Sequence, residues 1–286
     1  MAISKKILEG RIKRLPAFPA AVSELTRLLN DDMAGADDFE RVIRVDPGLT
    51  ASVLRVANSA AFGLRRQVST VGHAVSLLGL KRIFDISVAG AFEQVLPPTL
   101  NGYGIRAEDM WSHSVATAIF ADALATRLDL PIRGHVFTAG LLHDCGKLVI
   151  SEFMEEGRQE IMNRLIAGDA MLQAEQTVLG TDHAVVGEAV IHQWELPEVL
   201  AEIVRYHHAP LAVQDPEDRR VVTCVHAATI MAHTLGFGAD IGELQRIMDE
   251  QACVEAGLDV DLIEDVMANA LEEIQALSGS FQPKAA

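Results

Sequence analysis

The sequence predicts an all-α protein built as two helical bundles, an N-terminal one over residues 1–100 packed on a C-terminal one over residues 101–286. Three observations carry that expectation. Ala, Leu and Val dominate a chain in which 49% of the 286 residues are hydrophobic but only 5% are aromatic, a balance that favours helices over strands. Apolar residues recur at three- and four-residue spacing along most of the chain. No alternating period-two run of convincing length interrupts them.

Leu15-Pro16-Ala17-Phe18-Pro19 is a stiff entry, with Pro19 suited to a first helical turn ahead of Val22, Leu25, Leu28 and Leu29. Asn30-Asp31-Asp32 ends that helix, and Asp37-Asp38 opens another with Phe39, Val42 and Ile43. Asp46 is placed to cap a third, with Pro47 at its first position. Leu49, Val53, Leu54, Val56 and Ala57 line it until Asn58-Ser59-Ala60-Ala61-Phe62-Gly63. At that helix end Asn58 and Ser59 suit the satisfaction of loose carbonyls and amides, with a ligand or partner surface as the minority reading. Ser69-Thr70 caps the next helix, Gly79 breaks it, and Lys81 to Leu96 continues to Pro97-Pro98.

After the Asn101-Gly102-Tyr103-Gly104 loop, Asp109 to Leu128 reads as a long helix with Trp111, Val115, Ala118 and Ile119 as its core stripe. Leu141 to Lys147 reads as helix too, which lines Asp144 up with Phe137, Leu141 and Leu148. Thr181-Asp182 caps a helix carrying His183, Val186, Val190 and Trp194. Pro197 starts the next, on which Leu200, Ile203 and Val204 share a face with His207. Arg220 to Leu235 aligns Val222, His226, Thr229 and His233. The amphipathic run Val260 to Leu277 is expected to pack back onto this second region, and Ser278 to Ala286 to be a disordered end.

The balance of charge excludes some partners. A formal charge of −16 argues against general nucleic-acid binding and against an anionic membrane surface, both of which need basic surface. Cys145, Cys224 and Cys253 are odd in number and far apart, so a disulfide framework is not expected. Residues 1–14 have no continuous apolar core and do not read as a signal peptide, and no window approaches 18 consecutive apolar residues. The expected location is the cytoplasm.

Nine of the ten histidines fall between His113 and His233. A lone histidine on an apolar face is more often a hydrogen-bonded core residue than a ligand. Five helices each delivering one toward an apolar interior is a different pattern. His113, His143, Asp144, His183, His207 and His208, with Asp109 and His226 as weaker members, mix imidazole and carboxylate as zinc, iron or manganese sites do. One or two such ions could be held, and a pair could activate water and clamp a phosphate. Lys147, one turn beyond His143, would then face a substrate oxyanion as a phosphate contact. Cys145 has no activating base in sight and reads as a small core residue, while His73, His135 and His192 read as helix-start or solvated positions.

Four segments in register resemble the HDOD domain over about residues 15–210: Leu15-Pro16-Ala17-Phe18-Pro19, Asp46-Pro47-Gly48-Leu49-Thr50, Val56-Ala57-Asn58-Ser59-Ala60-Ala61-Phe62-Gly63 and Ala74-Val75-Ser76-Leu77-Leu78-Gly79-Leu80. That resemblance implies that the C-terminal bundle is HD-domain-like and that the family is related to HD-type metal phosphohydrolases. The order Asp-x-x-x-His, His-Asp, His, His-His is also similar to the dinuclear HD-GYP phosphodiesterases. Two departures stand out. Thr229 occupies the position where their final aspartate completes the metal site, and Ala209-Pro210-Leu211 follows His207-His208 in place of Gly-Tyr-Pro.

Two readings follow. The first is a bacterial signal-transduction module that acts by binding a protein or ligand, with a degenerate metal site. The resemblance implies partners such as kinases, receiver proteins or cyclic-di-nucleotide proteins, met in trans. The second is a metal-dependent phosphohydrolase of a nucleotide or cyclic dinucleotide. A third lies between them, with metal kept as a structural staple.

Overall fold

The structure is a computed structural model, and it describes residues 2–29, 31, 33–58, 67–130, 133–238 and 247–279. Among the described residues helix follows helix, as the apolar spacing predicts, and the two strands present are only two residues each. The chain divides into two compact units. Among the described residues, one comprises 16–96 with 271–279, the other 2–15 with 97–270.

In the first unit, α2 (Ala20–Leu29), α3 (Ala36–Arg44), α4 (Pro47–Ala57) and α5 (Val71–Val95) enclose Val22, Leu25, Phe39, Ile43, Leu49, Val53 and Phe84. Each such side chain contributes roughly 1.5–3 kcal/mol by leaving water. The expected caps form. The Asp46 carboxylate accepts from Leu49 N at 2.9 Å, with Pro47 opening α4, and the Thr70 hydroxyl accepts from His73 N. Gly79 interrupts α5 at φ 78°, ψ 165°, a conformation that glycine adopts without strain. Asn58 is a clamp, not a ligand group: its amide donates to Leu54 O and Val68 O and its oxygen accepts from Val68 N. Ser59 to Gly63, Asn30 and Asp32, and residues 280–286 of the predicted disordered end lie outside the described residues.

The second unit contains α1 (Lys5–Ile12), the hairpin β1 (Thr99–Leu100) and β2 (Ile105–Arg106), and α6 (Ala107–Arg127) through α14 (Glu250–Ala256). The described residues 2–15 group with this unit. Ile3 N donates to Leu179 O at 2.7 Å, and Arg11 pairs with Glu152 at 2.7 Å. Of the final helix, α15 (Val260–Ser278), residues to Ala270 count with this unit and those from Leu271 with the other. Helix α6 runs through the core, with Trp111, Val115, Ala118 and Phe120 buried. Gly140 of α7 (Arg133–Leu142) meets it so closely that a Cβ would stand 2.8 Å from Ala118 Cα.

Candidate metal centre

The stretch from Leu141 to Lys147 is not continuous helix as its apolar line suggests. Helix α7 ends at Leu142, residues 143–146 turn, and α8 (Lys147–Glu156) begins at Lys147. Three-residue hydrogen bonds hold the turn, from Cys145 N to Leu142 O, Lys147 N to Asp144 O and Leu148 N to Cys145 O. Gly146 gives the reason. A Cβ there would stand 2.0 Å from His183 O and 2.6 Å from Gly187 N, so the turn lies directly on the first turn of α11 (His183–Gln193). That contact sets His143 and Asp144 beside His183.

Four of the predicted histidines are pinned the same way. Nδ1–H of His113 donates to Phe237 O at 3.2 Å, of His143 to Gly140 O at 2.7 Å, of His207 to Val204 O at 2.7 Å, and of His183 to the Glu175 carboxylate at 2.8 Å. With Nδ1 so occupied, each ring turns Nε2 toward Asp144. His183 Nε2 lies 3.4 Å and His207 Nε2 3.9 Å from Asp144 Oδ1; His143 Nε2 lies 3.2 Å and His113 Nε2 3.8 Å from Oδ2. His208 comes within 3.0 Å of His183, Nε2 to Nε2, as His113 does to His143 at 3.2 Å. The ligand atoms of Asp144, His183, His207 and His208 fall within 4.8 Å of one another, and so do those of His113, His143 and Asp144.

The chemistry of this set is one-sided. Asp144 Oδ1 and His207 Nε2 are buried and have no hydrogen-bond partner among the described residues. Acceptors converge where no donor stands, and a buried arrangement of that kind needs a cation or shared protons. Ligand atoms about 2.1 Å from a metal stand roughly 3–3.5 Å apart, and the imidazole–carboxylate mixture suits zinc, iron or manganese. The residues therefore fit one metal ion or two.

Charge follows from burial and neighbours. Burial alone would push the Asp144 carboxyl up, but His143 and Lys147 outweigh it and hold the group well below the usual carboxylate range. Burial drives His207 well down, with His143 and His183 adding to the effect. His183 goes up, because Glu175 overrides the burial that would lower it. Cys145, buried against Gly187 O and beside Asp144, is pushed far up and is a core residue, not a nucleophile.

Lys147 is 1% exposed and donates from Nζ to Asp144 Oδ2 at 2.7 Å. With Asp144, His113 and His233 it borders a cavity of about 10 Å³, room for roughly one water.

Two weaker members are not brought in. The Asp109 carboxylate turns outward to Arg106, accepting from its backbone N at 3.2 Å and its guanidinium at 3.1 Å, because the start of α6 needs that cap. His226 spends both ring nitrogens elsewhere: Nδ1–H donates to His207 O at 2.9 Å and Nε2 accepts from Asp249 N at 3.0 Å. It ties α13 (Pro216–Thr234) to the start of α14 and has no lone pair left for a metal. The Thr229 hydroxyl donates to Val225 O in its own helix. His73 is exposed in the first turn of α5, His135 sits partly buried in the first turn of α7, and His192 pairs at the surface with Glu198.

Sequence reasoning missed Glu175, Tyr103 and His233. Glu175, in α10 (Met171–Leu179), is fully buried and accepts from His183 N at 2.8 Å, His183 Nδ1 at 2.8 Å and Tyr103 OH at 2.6 Å. Its signal was available: a carboxylate on the buried line Met171, Ala174, Val178. Tyr103 reaches it from the hairpin turn, where a Cβ on Gly102 would stand 2.0 Å from Ser151 O. The His233 ring lies 4.1 Å from that of His113.

Known proteins share this arrangement of helices. A Marinobacter aquaeolei VT8 structure, named as a candidate signal-transduction protein, superposes with a TM-score of 0.76 at 23% identity over 97% of this chain and 65% of its own. A Shewanella amazonensis SB2B structure, named as a candidate phosphohydrolase, superposes with a TM-score of 0.75 at 24% identity over 96% of this chain and 98% of its own. An uncharacterized Treponema pallidum protein is 26% identical over 207 residues, which span 70% of this chain but 39% of that protein's length. The sequence pattern of the HDOD domain matches residues 15–210, bridging the proline-rich entry and the histidine helices alike, and the chain belongs to the HDOD domain family.

Proposed function

We propose that this protein is a regulatory module of bacterial signal transduction that holds metal in its His–Asp centre and acts by binding a partner, not by turnover. The observation that carries the reading is a cluster of buried acceptors with little room beside it. Asp144 Oδ1 and His207 Nε2 converge with no donor, yet the space bordering Asp144 and Lys147 is about 10 Å³. A nucleotide needs a cleft of roughly 300–1,000 Å³. The metal is then a staple for the helices that carry its ligands. Partners of the expected kind are kinases, receiver proteins and cyclic-di-nucleotide proteins, in keeping with the signalling name of the Marinobacter structure.

A second reading is supported by Lys147. Its ammonium and the Asp144 carboxylate border one cavity, a pairing suited to a phosphate oxygen beside a metal-activated water, and the Shewanella structure is named in that sense. Elemental analysis of the protein as purified, followed by a nucleotide and cyclic-dinucleotide panel on the same iron- or manganese-loaded sample, decides between them. Bound metal with no turnover is the expected result. Hydrolysis that disappears in His143→Ala would make the protein an enzyme.

A further inference from the structure

We infer that this chain takes a single metal ion, in the half of the centre formed by Asp144 Oδ1, His183, His207 and His208, and that Lys147 is the resident cation of the other half. The inference rests on the metal-holding reading and adds its stoichiometry.

The two halves meet at Asp144 and differ in what they already contain. On the Oδ1 side, neither Oδ1 nor His207 Nε2 has a hydrogen-bond partner among the described residues. On the Oδ2 side, the Lys147 ammonium already sits 2.7 Å away, held in the interior at 1% exposure. A cation is missing from one side and present on the other.

Counter-charge is divided the same way. Glu175 stands directly behind His183, so the Oδ1 side has two carboxylates within one hydrogen bond of its ligand atoms. A carboxylate behind a ligating imidazole raises its basicity and fixes its orientation. On the Oδ2 side Asp109 borders the cavity shared by His113, Asp144 and Lys147, but among the described residues no second carboxylate backs a ligand histidine. His113 and His143 are backed by the neutral carbonyls of Phe237 and Gly140. Asp109, one turn before His113, faces Arg106, and Thr229 supplies only a hydroxyl bonded to Val225 O. One divalent ion on the Oδ1 side is balanced by Asp144 and Glu175. A second, beside Lys147, would add two more positive charges where the cavity's further carboxylate, Asp109, is already paired with Arg106.

Metal-free protein titrated with Co²⁺, followed by visible absorption and by Zn²⁺ calorimetry, tests this. One equivalent is expected for the wild type. His113→Ala should keep one equivalent, whereas His207→Ala should lose it. Glu175→Gln, which preserves shape and removes charge, should keep the fold and weaken binding about 10–100-fold with an altered Co²⁺ spectrum; it also serves if His207→Ala fails to fold. Two equivalents in the wild type, loss of binding in His113→Ala, or wild-type affinity in Glu175→Gln would overturn the inference. Wild-type protein that binds neither ion would instead remove the metal-holding reading beneath it.

Discussion

Glu175 accepts from both the backbone N and the ring Nδ1 of His183, each at 2.8 Å, from within the core. One buried carboxylate thus fixes where α11 starts and which ring nitrogen faces Asp144. Glu175→Leu would strand both donors and the Tyr103 hydroxyl, at a cost of about 3–5 kcal/mol in urea unfolding. Glu175→Gln should lose much less, since one amide oxygen can still accept from His183 while the NH₂ turns to Tyr103. Equal losses for the two variants would rule out this division of labour.

The contact between Gly146 and α11 sets a steric test. Gly146→Ala puts a methyl 2.0 Å from His183 O, and that backbone oxygen cannot swing away. The expected loss is at least about 2–3 kcal/mol, together with weakened metal retention, because the turn is what brings the ligands together. Gly10→Ala, where nothing lies within 4 Å, is the control and should be neutral or slightly stabilising.

Lys147→Met should behave differently with and without metal. In metal-free protein it leaves the Asp144 carboxylate without its ammonium in the interior, and about 3–5 kcal/mol should be lost. An ion at Oδ1 supplies replacement charge, so the loaded variant should recover much of that deficit. Thermal unfolding of both forms reads the difference, and an identical deficit would mean that no ion reaches Asp144.

Acid should destabilise the metal-free protein. His207, His226 and His135 are all lowered by burial, so each binds its proton more readily unfolded, with a value near 6.5, than folded. Their contribution is present above about pH 6.5 and is lost as pH falls through it. His183, raised by Glu175 against burial, works in the opposite sense: its contribution is complete below about 6.5 and is lost as pH rises through its folded value. Three groups against one give a net decline from pH 7 to 5, measurable by urea titration in chelator.

Acid should also release metal. The same proton on His183 competes with any ion at Nε2, so apparent metal affinity should fall as pH drops through the raised value of that histidine. Calorimetric Kd values at pH 8, 7 and 6 check the sign, and a flat profile would exclude His183 as a ligand.

The helices were legible because their signals are local. Asp46-Pro47, Thr70 and Asp182 each cap by reaching only three residues along the chain, and Gly79 breaks α5 through its own backbone. The histidine cluster was legible because five apolar lines each contained one. What escaped depends on contacts across the sequence. The turn at His143–Gly146 is set by His183 O, 37 residues or more away in the chain, and no periodicity records it. Asp109 and His226 sit on the right helical faces, yet a helix cap and the start of α14 claim them first. Glu175 emitted the same signal as Asp144, a charge on an apolar stripe, but without a neighbouring histidine to draw notice.

The bond from Ile3 N to Leu179 O has a practical side. Leu179 lies four residues before His183, and Ala2 borders Gly180 in between. An affinity handle or reporter spliced ahead of Ile3 would therefore be tethered beside the segment that orients a ligand histidine. Recombinant versions meant for metal work are better labelled elsewhere, or trimmed by protease before measurement.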